Sequence, residues 1–422
     1  MSDEDIIEQV NRYLLNHTDF LKVKDKLNED QLKVFIDKSI DDLCKVQNVK
    51  ILPELKGALI KGLVSAIVSL GPLRPLMEDK SVTEVMVNGY DNIYIQRHGH
   101  ILKSDIKFDD GKHLNHTIQK MLGLSKANRR LDESSPYADF SLPDGSRVNV
   151  ILPPCSMGGP IVTIRKFKDD IGTVEDLLNL GMLDKNIATL LLSAMKAKLN
   201  VIFCGSAGAG KTTTLNVLSR HIPEEERIIT IEDTPELILL QDHVVSLVTK
   251  GDNVEGRGEV SSRDLFINSL RMRPDRIILG EVRGAEMLDL IQSISSGHSG
   301  SLAIVHAETP EDCFNRMVTM MLMTGIKLST DEIRKQVARA VDLIVHVELF
   351  LDGVRRINYV TEVIYDEESK KTTLHDVFRF QQREMTPEGK IVGEWVMNKK
   401  KPSFMEKYQK RWISLPEGFF NE

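Results

Sequence analysis

Gly205-Ser-Ala-Gly-Ala-Gly-Lys-Thr212 matches the pattern G-x-x-x-x-G-K-[ST] at every specified position. An apolar segment, Asn200–Cys204, precedes this stretch, and a segment with helical periodicity, Thr212–Leu218, follows it. A strand, a glycine-rich turn and a helix in this order are the context in which the pattern binds phosphate. The sequence therefore predicts a phosphate-binding loop inside an α/β domain.

The expected chemistry of the loop follows from its residue types. Glycine lets backbone N–H groups turn inward around an anion, and the N-terminus of the following helix adds partial positive charge. We expect Lys211 to reach the β- and γ-phosphates of ATP, and the Thr212 hydroxyl to hold Mg²⁺. The predicted nucleotide-binding residues are Gly205, Ser206, Ala207, Gly208, Ala209, Gly210, Lys211, Thr212 and Thr213.

Two further apolar segments end in acids. Arg276–Leu279 leads through Gly280, where a metal-binding aspartate is usual, into Glu281, and Ile228–Ile231 leads into Glu232. We expect both strands to flank the loop strand and to bring their carboxylates to the crevice where open α/β sheets bind ligands. Such acids can hold a metal ion and orient water. The alternatives are that Glu232 caps the following turn and that Glu281 is a surface acid.

The rest of the sequence divides into regions that differ in the spacing of their apolar residues. Residues 1–72 repeat apolar positions at three-to-four spacing, which indicates a helical bundle. Residues 73–167 combine short strands with a helix near Lys112–Leu122, which predicts an α+β domain. Residues 168–180 are taken as a polar linker. Residues 181–422 alternate strands with helices, as a mostly parallel α/β sheet requires, and end in a C-terminal tail.

Composition narrows the partners and the location. Lys and Arg total 55 against 62 Asp and Glu, so the formal net charge is −7 and stable nucleic-acid binding is not expected. The first residues, Met-Ser-Asp-Glu-Asp, lack the basic-then-apolar pattern of a secretory signal, so none is expected. No segment reaches the roughly 20 apolar residues of a membrane span. Any membrane contact should therefore be peripheral. The widely spaced Cys44, Cys155, Cys204 and Cys313 fit a reducing cytoplasm and no zinc or disulfide framework.

Motifs after the loop give the chain a specific resemblance. Gly280-Glu-Val-Arg-Gly-Ala-Glu286, followed by Gly297-His-Ser-Gly-Ser-Leu-Ala-Ile-Val-His306, resembles the Walker B and histidine boxes of the secretion ATPase superfamily. Thr230-Ile-Glu-Asp233 is similar to its aspartate box. That superfamily serves type II secretion, type IV secretion and type IV pili.

Motifs before the loop resemble one branch of this superfamily. Asp132–Pro136, Leu142–Asn149 and Thr163–Phe167 are similar to the CpaF/TadA ATPases, which assemble tight-adherence (type IV) pili. The similarity extends from about Leu73 to about Val363. It implies a RecA-like P-loop NTPase domain behind the α+β domain, with the helical N-terminus as an appendage.

The resemblance also implies roles for individual residues. Glu281 would support the metal and Glu232 would orient the attacking water, although the two roles could be exchanged. His306 would sense the γ-phosphate. Arg147 and Arg165 would reach across from the preceding domain to the γ-phosphate, and a guanidinium suits phosphate oxygens. ATP would then close the two domains about a hinge near residues 169–172.

The resulting hypothesis is a cytoplasmic motor ATPase that forms a homohexamer at the inner-membrane face. It would hydrolyse ATP with Mg²⁺ and drive pilus assembly through inner-membrane platform proteins. One alternative is a RecA-like motor that translocates nucleic acid, against which the net charge of −7 argues. Another is a nucleotide-gated scaffold without useful turnover, against which the two glutamates argue.

Two clusters of side chains remain open to more than one interpretation. A short helix carries several methionines, which could form an adaptable interface or plain core: Met317, Met320, Met321 and Met323. In the tail, Phe404, Tyr408 and Trp412 would form one helical stripe, with Lys407, Lys410 and Arg411 between them. That stripe could dock on a membrane platform or on anionic lipid headgroups, or it could fold back on the ATPase domain.

Overall fold

The computed structural model describes residues 29–47, 56–57, 60, 70–97, 100–125, 130–166, 171–251 and 257–420. The chain is an α/β protein that divides into two compact units, Met1–Lys168 and Asp169–Glu422. Most of the helical bundle expected over residues 1–72 lies outside the described residues, as do residues 169 and 170 of the expected hinge. Helix α1 (Glu29–Gln47) is described, and its Ile36 and Ile40 are buried.

The first unit is built on one antiparallel sheet. Its helices are α2 (Arg74–Glu78) and α3 (Gly111–Leu124), and its strands are β1 (Val82–Asn88), β2 (Ile93–Arg97), β3 (His100–Lys103), β4 (Tyr137–Ser141), β5 (Arg147–Ile151) and β6 (Ile161–Arg165). The strand order is β3-β2-β1-β6-β5-β4. Alternating apolar residues of every strand except the exposed β3 pack with Leu114, Ile118 and Met121 of α3 in one core, so the expected α+β architecture is confirmed.

The second unit is built on a nine-stranded sheet with helices on both faces. Its helices are α4 (Val174–Asn179), α5 (Lys185–Lys196), α6 (Lys211–Ser219), α7 (Ser262–Ser269), α8 (Glu286–Ser295), α9 (Pro310–Met323), α10 (Thr330–Ala340) and α11 (Met405–Lys410). Its strands are β7 (Val201–Gly205), β8 (Ile228–Glu232), β9 (Val244–Val248), β10 (Arg276–Leu279), β11 (Leu302–His306), β12 (Leu343–Leu349), β13 (Arg355–Asp366), β14 (Lys371–Met385) and β15 (Ile391–Met397).

The order of these strands is β15-β14-β13-β12-β7-β11-β10-β8-β9. Strands from β12 to β9 in this order run parallel, and β13, β14 and β15 add an antiparallel meander. Along β7, Val201 and Phe203 face one core while Ile202 and Cys204 face the other. A strand that is buried on both faces reads as a continuous apolar run, which is why the sequence signal was clear.

The two acid-bearing strands do not flank the loop strand, so that expectation was wrong. Strand β7 lies between β11 and β12, whereas β10 is the second strand away and β8 the third. Helical crossovers let the chain place its strands in an order that differs from the sequence order. Strand β11, which ends at His306, therefore lies between the loop strand and the nearer acid-bearing strand.

The segment expected as a linker, residues 168–180, contains helix α4. Thr173 and Asp176 cap its N-terminus reciprocally, and Val174 and Leu177 are buried in the core of the second unit. This capping box was present in the sequence as threonine followed three residues later by an acid. Of the expected linker, residues 168–170 lie outside the described residues.

The C-terminal tail folds back on the second unit. Phe404 and Tyr408 are buried in its core, and the Tyr408 hydroxyl donates to the carbonyl oxygen of Leu190 at 2.9 Å. Lys407 forms an ion pair with Asp342 at 2.7 Å. Trp412 does not continue the stripe, because α11 ends at Lys410.

The methionine helix α9 is mostly core. Met317, Met320 and Met321 are buried among the helices on one face of the sheet, while Met323 is exposed.

We expect Met317→Ala, at a side chain that is 0% exposed, to lower the free energy of unfolding by about 2–5 kcal/mol. Met323→Ala, at 77% exposure, should change it by no more than about 0.5 kcal/mol. Denaturant titration of both variants measures the difference, and equal effects would contradict this packing.

Candidate nucleotide-binding site

The backbone of the glycine-rich loop adopts conformations that other residues avoid. Gly205 ends β7 with a φ of +150°, and a Cβ there would collide with the carbonyl oxygen of Val347 on β12. Gly210 has a φ of +100° and caps the start of α6. A side chain at either position would strain the turn or displace a neighbour. The loop is thus held against the sheet at the N-terminus of a helix, where anions are stabilised.

Lys211 is a buried cation in the first turn of α6, with an exposure of 6%. Its Nζ donates to the carbonyl oxygen of Ser206 at 2.7 Å and lies 3.4 Å from Nδ1 of His306. A buried ammonium group is costly unless it is hydrogen-bonded and paired with negative charge. A phosphate placed in the loop would bring negative charge next to the lysine.

His306 connects Lys211 to Glu281. Nε2 of His306 lies 3.1 Å from Oε1 of Glu281, and Arg283 donates to Oε2 of the same carboxylate at 2.6 Å. Because an ammonium group has only donors, Nδ1 of His306 must accept from Lys211, and Nε2 must carry the proton that Glu281 accepts. We call Lys211–His306–Glu281–Arg283 the contact chain of the site.

The charges along the contact chain shift the pKa of its members. Burial, followed by the charge of Lys211, holds the pKa of His306 below its ordinary 6.5, although Glu281 opposes the shift. Burial alone would raise the pKa of Glu281, but Arg283, His306 and Lys211 outweigh it and hold that pKa below 4.5. At neutral pH the imidazole is therefore uncharged and the carboxylate ionised, as the tautomer above requires.

Glu232 is buried at the end of β8. Its Oε1 accepts hydrogen bonds from the backbone N–H groups of Glu236 and Leu237 at 2.8 and 3.0 Å, so it does cap the following turn. Gly280 leaves space for this side chain, because a Cβ there would lie 2.7 Å from Cγ of Glu232. Because residue 280 is glycine and not the usual aspartate, the side chain of Glu232 can pack against its backbone.

Thr212 and Thr213 follow Lys211 in the first turn of α6, and both are half-buried. Among the residues that the structure describes, no group of three or more His, Cys, Asp or Glu side chains could hold a metal ion. Mg²⁺ takes few protein ligands and completes its shell with phosphates and water, and the Thr212 hydroxyl and the Glu281 carboxylate are oxygen donors of the type that it binds.

Arg355 is a site residue that the sequence analysis missed. It begins β13, and its Nε donates at 2.8 Å to the carbonyl oxygen of Gly208, 147 residues earlier in the chain. Only the pairing of β13 with β12, and of β12 with β7, brings the two together. Arg283 lay inside a quoted motif, but no sequence signal indicated its bond to Glu281.

Arg147 and Arg165 lie in the first unit. They are directly opposite each other on β5 and β6, and Glu84 on β1 is opposite Arg165 on its other side. Opposite residues share a face of the sheet, so both guanidinium groups leave from the same face. Glu84 shares that face as well, so the face carries two guanidinium groups next to one carboxylate.

A glycine-rich loop between strand and helix, on a mainly parallel sheet covered by helices on both faces, defines a P-loop α/β protein of the RecA-like class. The family model described as type II/IV secretion system protein matches residues 67–377. The chain therefore belongs to the type II/IV secretion system protein family.

Several known proteins are similar to this chain. A Mycobacterium tuberculosis protein whose name assigns it provisionally to conjugal transfer is 34% identical over 306 residues, which are 71% of this chain and 86% of that protein. Type IV secretion system protein VirB11 of Brucella suis is 31% identical over 345 residues, 74% of this chain and 94% of VirB11. The crystal structure of the Brucella suis VirB11 ATPase with sulphate is 30% identical, covers 72% of this chain and 99% of that one, and has a TM-score of 0.37.

No helix within the described ranges is both long and apolar enough to cross a membrane.

The contact chain makes a prediction about His306. Lys211→Met should raise the pKa of His306, because it removes a nearby positive charge, whereas Glu281→Gln should lower it by removing the negative charge. Two-dimensional NMR titration of the imidazole measures both shifts. The pKa of His221, which burial and Lys196 lower, should stay the same in both variants. If both substitutions moved the pKa of His306 in the same direction, the contact chain would be contradicted.

Proposed function

We propose that this chain is an ATP-hydrolysing motor that forms a homohexameric ring and drives the assembly of tight-adherence (type IV) pili. The observation that carries the proposal is the contact chain, because it joins a buried cation under a phosphate-binding loop to an ionised carboxylate. Membership of the type II/IV secretion system protein family supports a role in secretion or pilus assembly. The sequence motifs before the loop favour the CpaF/TadA branch.

Binding of ATP would rearrange the contact chain. The β- and γ-phosphates would take Lys211 from the carbonyl oxygen of Ser206, and residues 205–213 would surround them. Lys211 would then leave Nδ1 of His306, so that this imidazole responds to the terminal phosphate while Nε2 stays on Glu281. Movement of a single lysine would thus be transmitted to the acid.

Hydrolysis needs an acid at the metal and an acid at the water. Thr212 and Glu281 would hold Mg²⁺, which when bound neutralises charge on the transferring phosphoryl group. Glu232 would orient the attacking water through its carboxylate. Arg283, now on Glu281, would have to release one carboxylate oxygen for this arrangement.

Closure of two domains would supply the remaining positive charge. We assign residues 73–167 to the closing α+β domain, residues 168–180 to the connection and residues 181–422 to the ATPase domain. Arg147 and Arg165 would reach the γ-phosphate, where an arginine from a mobile part stabilises charge in the transition state. Each cycle of binding and hydrolysis would close and reopen the domains. In the cell the ring would lie in the cytoplasm against inner-membrane platform proteins.

Two variants separate binding from closure. Lys211→Ala should abolish the affinity for a fluorescent ATP analogue, because the phosphates lose their buried cation. Arg147→Ala should leave that affinity intact and reduce phosphate release by about a thousandfold or more, since it acts on the transition state. Arg97→Ala, which removes another half-exposed arginine of the first unit, is the control and should do neither. Equal loss of binding in the lysine and Arg147 variants would rule out the closure model.

The two glutamates test whether the protein turns over ATP at all. Glu281→Gln and Glu232→Gln should each bind nucleotide but release phosphate much more slowly than the wild type. Glu417→Gln, at an exposed acid in the tail, should match the wild type. If the wild type released phosphate no faster than the two glutamine variants do, a nucleotide-gated scaffold would be favoured. Strong stimulation by single-stranded DNA would favour a nucleic-acid motor instead.

A further inference from the structure

The C-terminus of helix α11 has an unusual residue at its turn. The N–H of Trp412 donates to the carbonyl oxygen of Gln409 at 3.1 Å, and the N–H of Ile413 donates to that of Tyr408 at 3.0 Å. These two bonds form a Schellman motif, whose first residue beyond the cap takes a left-handed conformation and is usually glycine. Here that residue is Trp412, with a φ of +56°.

Tryptophan at this position has two costs. A bulky side chain is disfavoured at positive φ, so glycine would stabilise the same turn. The indole is also 97% exposed, and within the described residues it packs into none of the hydrophobic cores. Phe404 and Tyr408 of the same tail are buried, so the exposure of Trp412 is particular to this residue. Strain combined with exposure points to a contact outside the chain.

The residues around Trp412 indicate the chemistry of that contact. Lys410 and Arg411 come directly before it and are exposed, and Lys399, Lys400 and Lys401 earlier in the tail are also exposed. These cations stand out on a chain of net charge −7. We propose that Trp412, Lys410 and Arg411 form a site that binds the surface of an anionic lipid bilayer, with the indole at the level of the headgroups.

A lipid surface fits this site better than a protein pocket does. Protein interfaces surround a buried aromatic anchor with further apolar contacts. Among described residues 398–420, Trp412 is the one large apolar side chain that is exposed. An indole with an apolar body and one N–H donor, flanked by cations, is instead the side-chain set that lies in a bilayer interface. The site needs neither nucleotide nor hydrolysis, so it goes beyond the proposed motor function.

Flotation with lipid vesicles tests the proposal on the full-length protein. Wild type should float with vesicles of phosphatidylcholine and phosphatidylglycerol, and should bind vesicles of phosphatidylcholine alone much more weakly. Trp412→Gly should reduce binding to the anionic vesicles by roughly tenfold while raising the melting temperature, because glycine relieves the turn. Lys410→Gln and Arg411→Gln should each reduce it about fivefold. Leu351→Gly, at an apolar side chain that is 90% exposed elsewhere, is the matched control and should bind as the wild type does.

Fluorescence locates the contact. The chain has two tryptophans, and the second, Trp395, is half-buried with its Nε1 donating to the carbonyl oxygen of Ile357 at 2.7 Å. Anionic vesicles should shift the emission of the Trp395→Phe variant to shorter wavelength. Absence of this shift, or undiminished flotation of Trp412→Gly, would overturn the proposal. So would a shift that follows protein concentration without vesicles, which would indicate a second copy as the partner. ATP turnover of Trp412→Gly without vesicles tests the motor function separately.

Discussion

The buried ammonium group of Lys211 is the constraint around which the second unit is arranged. It lies in the first turn of a helix whose start requires glycine, beside a strand that approaches β12 too closely for a side chain at Gly205. Because the cation is sheltered from water, its interactions are stronger than those of a surface lysine, and the groups near it adjust their protonation. Burial and the charge of Lys211 together keep the pKa of His306 low and its imidazole neutral, and Arg283, His306 and Lys211 together keep Glu281 ionised.

Local features of the fold could be predicted from the sequence, and long-range ones could not. The strand, loop and helix around Lys211 were predictable because glycines and apolar runs act within a few residues. The place of β11 between β7 and β10 was not, because spatial order depends on crossovers that leave no periodic signal. Arg355 was missed for the same reason. The tail left two alternatives open, since a periodic stripe does not say what covers it.

The charged groups of the candidate site already have hydrogen-bond or ion-pair partners within the chain. Lys211 is held by Ser206 and His306, and Glu281 by His306 and Arg283, so each charged group already has partners within the chain. A bound nucleotide would have to exchange these contacts for its own. The net gain in binding free energy would therefore be smaller than the sum of the new contacts.

The family model ends inside strand β14, whereas the folded second unit continues beyond that strand. The family model ends at residue 377, in the middle of this strand, where Val377 and Phe378 are buried and adjacent. The strand continues to Met385, pairs with β15, and leads to the tail that covers the same core with Tyr408. A protein cut where the family model ends would keep half a strand and an uncovered apolar edge, a template for aggregation. The family model and the folded core thus end at different residues of this chain.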